Sequence, residues 1–464
     1  MLYGNWIVAI ARFQPNVLFM DQWDFLYTLF YGGGWWDRFI HQHGPPRLGL
    51  GLVISAWILD ATNLDVRYDS VWVATILLAA TVLALRLKSE MSGPLTLRDA
   101  WIPLLFLSLG QFETVVSTPN ASHSALPLAL VLLAAIVWLN SCPAIRYLAA
   151  AVIAFALTFT GFGLFAGALI TVLLAARAVQ HAWRREYRTT WLAAGGLAIT
   201  VVGWLLFSRH YIFQPAVDGF RFPWTPWTDY LRFIALMLNL PTWHPGASGP
   251  HYRTGGVLAF VVVAATLRIA WLWIKRLPSS KDDVLVLLMG SGVLFIVMTA
   301  IGRIPLGVTG GQASRYLSLM LPVWLAVYLA AESSRLARPI ALLCVWLLAA
   351  APYAETARRP VADWPGTFGL PDGPLDVMKD FGTSKAAWAD MYSSTGSWEA
   401  AQAAVVHPIY PKPEETRFDE KLRILRQRKL SFFSGDPSRR DYLPWLADDS
   451  FGCPALRSRL PHCH

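Results

Sequence analysis

Apolar residues run along this chain in long blocks separated by short polar hinges. A helix needs about 20 apolar residues to cross the hydrocarbon layer, because it rises about 1.5 Å per residue through some 30 Å. Windows that reach or approach this length are 70–86, 100–117, 125–140, 146–160, 162–177, 191–208, 255–274, 284–302, 315–331 and 339–354. Residues 1–20 form a weaker stretch, interrupted by Arg12 and Pro15. It lacks the basic start and small-residue cleavage site of a signal peptide, and we read it as a helix entering from the cytoplasm, shortened by the choice of start codon. The pattern therefore predicts an α-helical polytopic membrane protein with about eleven spans.

The charges between the blocks give the orientation. Arg86, Lys88 and Arg98 form one cluster and Arg177, Arg184, Arg185 and Arg188 another; Lys275, Arg276 and Lys281, then Arg335 and Arg338, complete the set. Lys/Arg bias marks short cytoplasmic loops, and these clusters alternate only if 21–69 and 355–464 lie outside. The glycines of Thr160-Gly161-Phe162-Gly163 permit an outer reversal inside a long apolar run. The segment 47–60 is expected to be a half-length outer helix, since counting it as a span inverts the parity.

Composition agrees: 55% of residues are apolar and 15% charged, with mean hydropathy +0.42, against about 45–50% and 25% in average globular domains. The 22 Trp and 24 Phe residues suit rings anchored at lipid headgroups. A net charge of +9 would suggest nucleic acid in a soluble protein, but here the basic residues fall between apolar segments, so topology explains them and no nucleic-acid partner is expected.

After Tyr353 the chain turns rich in Pro, Gly and charge. We read 1–354 as the transmembrane module, with 21–69 as its first outer loop, and 355–464 as a small outer domain or tail with an amphipathic helix around 415–430. In an oxidising compartment Cys453 and Cys463 would pair, whereas Cys142 and Cys344, in or beside spans, read as inert small apolar residues. The sequence shows no internal repeat, Walker motif or zinc-type CxxC pair.

Candidate chemistry collects on the outer side. Asp21-Gln22-Trp23-Asp24 follows the first stretch, and carboxylates at a membrane edge are costly when desolvated and unpaired; the alternative is that they cap a short surface helix. His41, His43, Pro45, Pro46 and Arg47 come next. Glu113, an acid in an apolar stretch, and His123 sit at the following outer hinge; Glu113 could instead snorkel to the interface or pair with an arginine. Arg303 and Arg315, with Tyr316 beside the latter, bracket a glycine-rich loop. Guanidinium forks and exposed backbone N–H groups suit a phosphate or pyrophosphate, although a pair snorkelling to lipid headgroups would look the same. The loop 209–254 carries Arg221, Trp224, Trp227, Arg232, Trp243, His244, His251 and Arg253, most of whose rings we assign to the interface.

On these residues the chain resembles bacterial GT-C-type glycosyltransferases, the polytopic enzymes that use polyprenyl-phosphate-linked sugars, such as aminoarabinose and mannosyl transferases. Asp21-Gln22-Trp23-Asp24 stands where that family carries an acidic pair, and Gly44-Pro45-Pro46-Arg47 leads into the half-helix as in the family. Glu113 matches its second outer acid in order. The likeness covers residues 1–354, chiefly as order and topology; the acids are spaced D-x-x-D rather than adjacent or D-x-D, and the tail is small. The resemblance implies a GT-C-like bundle in the bacterial inner membrane with the C-terminal region periplasmic. It also implies transfer of a sugar from a polyprenyl-phosphate donor to a glycan, lipid or protein acceptor.

In that scheme Asp21, or else Asp24, is the general base, and Glu113 orients the acceptor or joins the two aspartates in holding Mg²⁺ or Mn²⁺. His41, His43, Arg47, His123 and Tyr316 fall among the substrate contacts, and Arg303 and Arg315 offset the charge of the leaving phosphate. Two histidines at i and i+2 do not share a helix face, which disfavours zinc at His41 and His43. The competing readings are a lipid-linked oligosaccharide flippase or transporter, which would put its ionisable groups near the bilayer midplane, and a surface polysaccharide polymerase or ligase, which would not require the first acidic pair.

Overall fold

The computed structural model describes residues 1–118, 121–215, 219–242, 252–275, 279–332, 334–357, 374–410 and 413–434, and every named element among them is helical. The chain opens with α1 (Leu2–Phe13) and three short helices, α2 (Gln22–Phe25), α3 (Tyr27–Tyr31) and α4 (Trp35–Ile40). A turn closed by a bridge between Gln42 and Arg47 leads into α5 (Gly49–Ala61), the half-length helix expected from the sequence. The bundle follows as α6 (Val66–Ser92), α7 (Trp101–Phe106), α8 (Leu126–Asn140), α9 (Pro143–Thr158), α10 (Leu164–Trp183), α11 (Tyr187–Ser208), the amphipathic α12 (Thr228–Leu238), α13 (Tyr252–Lys275), α14 (Ser280–Arg303), α15 (Leu317–Glu332) and α16 (Ala337–Ala357). The C-terminal region adds α17 (Pro374–Thr395), α18 (Trp398–Ala403) and α19 (Phe418–Arg428), the last inside the expected amphipathic segment.

Among the described residues seven stretches are long and apolar enough to cross a membrane: Val66–Ser92, Ala121–Asn140, Gly161–Trp183, Tyr187–Ser208, Tyr252–Lys275, Ser280–Leu306 and Ser314–Glu332. The chain is therefore built as a polytopic helical membrane protein. Its outward faces are apolar, as lipid requires: Val257, Phe260, Val263, Leu267 and Trp271 of α13 are all exposed.

Among the described residues the count of about eleven spans is therefore not confirmed. Gly49–Ala61, Pro143–Thr158 and Ala337–Ala351 are shorter apolar helices, and α1 has 12 residues. The window 100–117 breaks into α7, a 3₁₀ turn at Leu109–Gln111 and a π turn at Glu113–Ser117. Its breaks have local causes. Ser108 has left helical geometry and accepts the Gly110 N–H on its hydroxyl, while the Gln111 amide donates to the Phe106 carbonyl at the end of α7.

Two groups of buried partners define opposite ends of the bundle. At one end Lys88 meets Asp99 at 3.2 Å, and Tyr328 donates to the same carboxylate at 2.7 Å. Asp283 there binds Arg177 and accepts indole N–H groups from Trp138 (2.8 Å) and Trp273 (2.9 Å). Carboxylates this buried persist because each is paired and hydrogen-bonded. The basic clusters grouped on one side by the sequence thus share one end, through residues of α6, α8, α10, α13, α14 and α15. About 20 helical residues along α14, roughly 30 Å, separate Asp283 from Arg303 at the other end.

At that other end the reversal between α9 and α10 lies where its glycines suggested. Gly161 has φ +53°, and a Cβ there would sit 2.2 Å from the Ser122 carbonyl oxygen. A second apolar core forms here. Phe19, just before the first loop, and Trp23 and Phe30 within it pack with Leu52 and Leu59 of α5 and with Trp388, Phe418 and Leu422 of the C-terminal region. The first loop and the C-terminal region are therefore one packed unit.

Candidate functional site

The end opposite Asp283 holds a cavity of about 160 Å³, room for roughly ten water molecules and hence for a compact polar headgroup. Its walls come from segments far apart in the chain. Asp21 and Phe25 come from the first loop, His43 to Pro46 from the turn before α5, and Thr114 and Thr118 from the π turn. His123, Phe162, Arg303, Arg315 and Tyr316 complete it.

Each guanidinium is placed by its backbone. Arg303 ends α14, where a cation complements the helix dipole. The loop after it turns at Gly307 (φ +88°), and Gly311 passes so close to α12 that a Cβ would lie 2.7 Å from the Phe233 carbonyl oxygen. That close seating delivers Arg315 and Tyr316 to the start of α15. Glu113 completes the anchoring: its carboxylate accepts the Arg315 backbone N–H at 3.1 Å and the Ser314 hydroxyl at 3.3 Å. Its own N–H donates to the Ser314 hydroxyl at 3.2 Å.

Asp21 is half-exposed and faces the cavity, with one carboxylate oxygen 3.9 Å from His43 Nε2. It lies close enough for its charge to act on both Arg303 and Arg315. Burial pushes the His43 imidazole below its ordinary value, opposed by Asp21 and Asp24 and reinforced by Arg303. The ring packs edge-on against Phe25, with centroids 4.6 Å apart. His123 lies between the rings of Phe25 and Phe162, at 5.4 and 5.5 Å. One buried hydroxyl on the wall, Thr114 Oγ1, has no hydrogen-bond partner among the described residues, and such a group is costly unless something in the cavity satisfies it; the Tyr316 hydroxyl faces the Arg315 guanidinium.

Four of the expected site residues lie elsewhere. Asp24 is on α2 but turned to the C-terminal region: it accepts the Tyr410 hydroxyl at 2.8 Å and the Lys421 ammonium at 3.3 Å. Of the D-x-x-D pair, only Asp21 lines the cavity. Arg47 uses its guanidinium on carbonyls, donating to Ile40, to Phe207 at 3.0 Å and to Arg209 at 2.8 Å. It ties the turn before α5 to the end of α11, satisfying carbonyls that a helix C-terminus leaves open. His41 does not line the cavity; its carbonyl accepts the Leu48 N–H at 2.9 Å, and burial pushes its imidazole down to about 4. Glu113 is not among the residues lining the cavity; its carboxylate holds the Ser314 hydroxyl and the Arg315 backbone N–H.

The divalent site expected from Asp21, Asp24 and Glu113 is not assembled. Asp24 and Glu113 are committed to other partners, and no group of three His, Cys, Asp or Glu residues suited to a metal gathers among the described residues. Those side chains do not fit a shared cation. Cys453 and Cys463 lie outside the described residues, as do Trp243, His244 and His251.

Some wall residues carried no signal in the sequence. Thr114, Thr118 and Phe162 are ordinary residues of apolar stretches. Asp69, buried on α6 with its carboxylate accepting the Ser55 hydroxyl at 2.7 Å, borders a small adjoining cleft with Phe25 and Ser122. A second narrow cleft, lined by Val131, Ala166 and Phe295, shares Phe162 and Leu319 with the main cavity. The polar chamber thus abuts an apolar seam between α8, α10, α14 and α15.

No family model matches the chain, and neither the curated proteins nor the solved structures compared with it include a match.

Proposed function

We propose that this protein is a membrane glycosyltransferase of GT-C type, moving a sugar from a polyprenyl-phosphate donor to a hydroxyl of a glycan, lipid or protein acceptor at the outer face of a bacterial inner membrane. The observation that carries the reading is the convergence of Asp21, Arg303 and Arg315 on one cavity. Two guanidinium groups beside the unsatisfied Thr114 hydroxyl suit a phosphate, and the apolar seam beside the chamber suits a ligand with a hydrocarbon tail.

In this reading the phosphate lies between Arg303 and Arg315, with Tyr316 and Thr114 donating hydroxyl hydrogens to its oxygens. Asp21 takes the proton of the acceptor hydroxyl as the acceptor oxygen bonds to the anomeric carbon. The carbon–oxygen bond to phosphate breaks, and the electron pair leaves with the phosphate. The arginines stabilise the charge that grows there, an electrostatic contribution that is usually the largest in such chemistry.

The location of the charged groups favours this over a flippase or transporter, because Asp21, Arg303 and Arg315 sit at helix ends and loops rather than midway along the spans. Binding of undecaprenyl phosphate to the full chain in nanodiscs tests the phosphate seat. Arg303→Ala and Arg315→Ala should each weaken it by roughly 10- to 100-fold, the worth of a charge-assisted hydrogen bond. Unchanged affinity in both variants would refute the assignment.

A further inference from the structure

We infer that Lys385 of α17 is a positioning residue that sets the spacing between the Asp21 wall and the Arg315 wall of the cavity. Lys385 is fully buried, and its ammonium donates to three oxygens from two segments: Gln14 Oε1 at 3.0 Å, the Val116 carbonyl at 3.1 Å and the Ser117 carbonyl at 3.0 Å. It also lies 4.8 Å from the centroid of the Phe19 ring. Gln14 and Phe19 belong to the strand of chain that delivers Asp21. Val116 and Ser117 belong to the π turn that carries Thr114 and begins at Glu113, the anchor of Arg315. One side chain therefore holds both walls.

The same face of α17 repeats this bridge one turn earlier. The Phe381 ring packs on Phe19 at 5.4 Å and on Phe112 at 6.4 Å, touching the residue two before Asp21 and the residue before Glu113. Gly382 lets the helix approach so closely that a Cβ there would lie 2.5 Å from the Phe13 carbonyl oxygen. Two bridging side chains and a close backbone contact make α17 a wedge between the segments. An ammonium supplies three donors, matching the three oxygens. An apolar replacement would leave two buried carbonyls and an amide without them, at a cost that a shift of either segment relieves.

The consequence for turnover rests on the proposed sugar transfer, whereas the spacing itself does not. In the full chain, with Cys142, Cys344, Cys453 and Cys463 replaced by serine, spin labels at Tyr27→Cys and Thr309→Cys report the distance across the two walls in nanodiscs. Lys385→Met should broaden or displace the distribution, and Lys385→Arg should restore most of it. Lys88→Met, which removes a buried lysine at the far end of the bundle, should leave it unchanged. Turnover per bound undecaprenyl-phosphate sugar should fall about 100-fold in Lys385→Met, as small misplacements of reacting groups do; a purely structural loss would lower the number of binding sites and leave turnover per site intact. If Lys385→Met fails to fold, Gln14→Leu removes one of the three acceptors and should broaden the same distribution. Distributions that superimpose on the parent in every folded variant overturn the inference. A parent that transfers no sugar overturns the proposed reaction, and the distance measurement still decides the role of Lys385.

Discussion

Glu113 and Arg315, 202 positions apart in the chain, are joined where the Glu113 carboxylate accepts the Arg315 backbone N–H at 3.1 Å. The contact binds the π turn after α7 to the start of α15, and it ties Glu113 to an arginine residue, the alternative its sequence context had left open, through the backbone N–H. Glu113→Gln keeps one carbonyl acceptor, so it should lower undecaprenyl phosphate affinity only severalfold, whereas Glu113→Ala should lower it about tenfold or more by releasing Arg315. Equal affinity in the parent and Glu113→Ala, measured by titration in nanodiscs, would show that Arg315 does not depend on this anchor.

Asp24 belongs to the joint with the C-terminal region. Removing its carboxylate leaves the Lys421 ammonium buried, with a side chain 2% exposed, and without its counter-charge. Asp24→Asn should cost about 1–3 kcal/mol, less than a fully buried pair because Asp24 remains partly hydrated. Turnover per folded molecule should stay near the parent value. A drop comparable with that of Asp21→Asn, with thermal stability unchanged, would instead place Asp24 in the chemistry.

The half-buried His41 makes the fold acid-sensitive. Its imidazole titrates at about 4 in the folded chain against an ordinary 6.5. Between these values the unfolded chain binds a proton that the folded one refuses, so stability is full above pH 6.5 and declines as pH falls toward 4. The melting temperature in nanodiscs should fall over that interval, and less steeply for His41→Gln. Identical acid dependence in the two proteins would contradict this.

Gly161 is required by its surroundings. At φ +53°, with a Cβ facing the Ser122 carbonyl oxygen at 2.2 Å, alanine would force α9, α10 and the His123 turn apart. Gly161→Ala should destabilise the protein by about 2–4 kcal/mol and weaken anion binding through His123 and Phe162. A variant with the parent's melting temperature would show that the turn can relax.

Much of the bundle was legible because a lipid-crossing helix leaves a long apolar run that needs no knowledge of its neighbours. The break within 100–117 was not: its residues are apolar enough for a span, and Ser108 and Gln111 act through hydrogen bonds that hydropathy does not register. For the same reason Asp21 and Asp24 could not be ranked. Their spacing is local, but Asp24 is drawn away by Tyr410 and Lys421, 386 and 397 positions distant. Arg47 read as a ligand-binding cation because its helix-end carbonyls come from residues 160 and more positions away. Arg303, Arg315, Tyr316, His43 and His123 were legible as candidates, since polar residues at the ends of apolar runs stand out. Lys385 was not, because a lone lysine in an ordinary amphipathic stretch carries no mark of burial.

The most direct test of the sugar-transfer account is the rate at which purified protein moves radiolabel from undecaprenyl-phosphate-linked sugars to cell-envelope acceptors. With a labelled donor that the parent uses, Asp21→Asn should lose about 100-fold or more in turnover, the scale of general-base catalysis, while still binding undecaprenyl phosphate. Undiminished transfer by Asp21→Asn, or no transfer by the parent from any such donor, would contradict it.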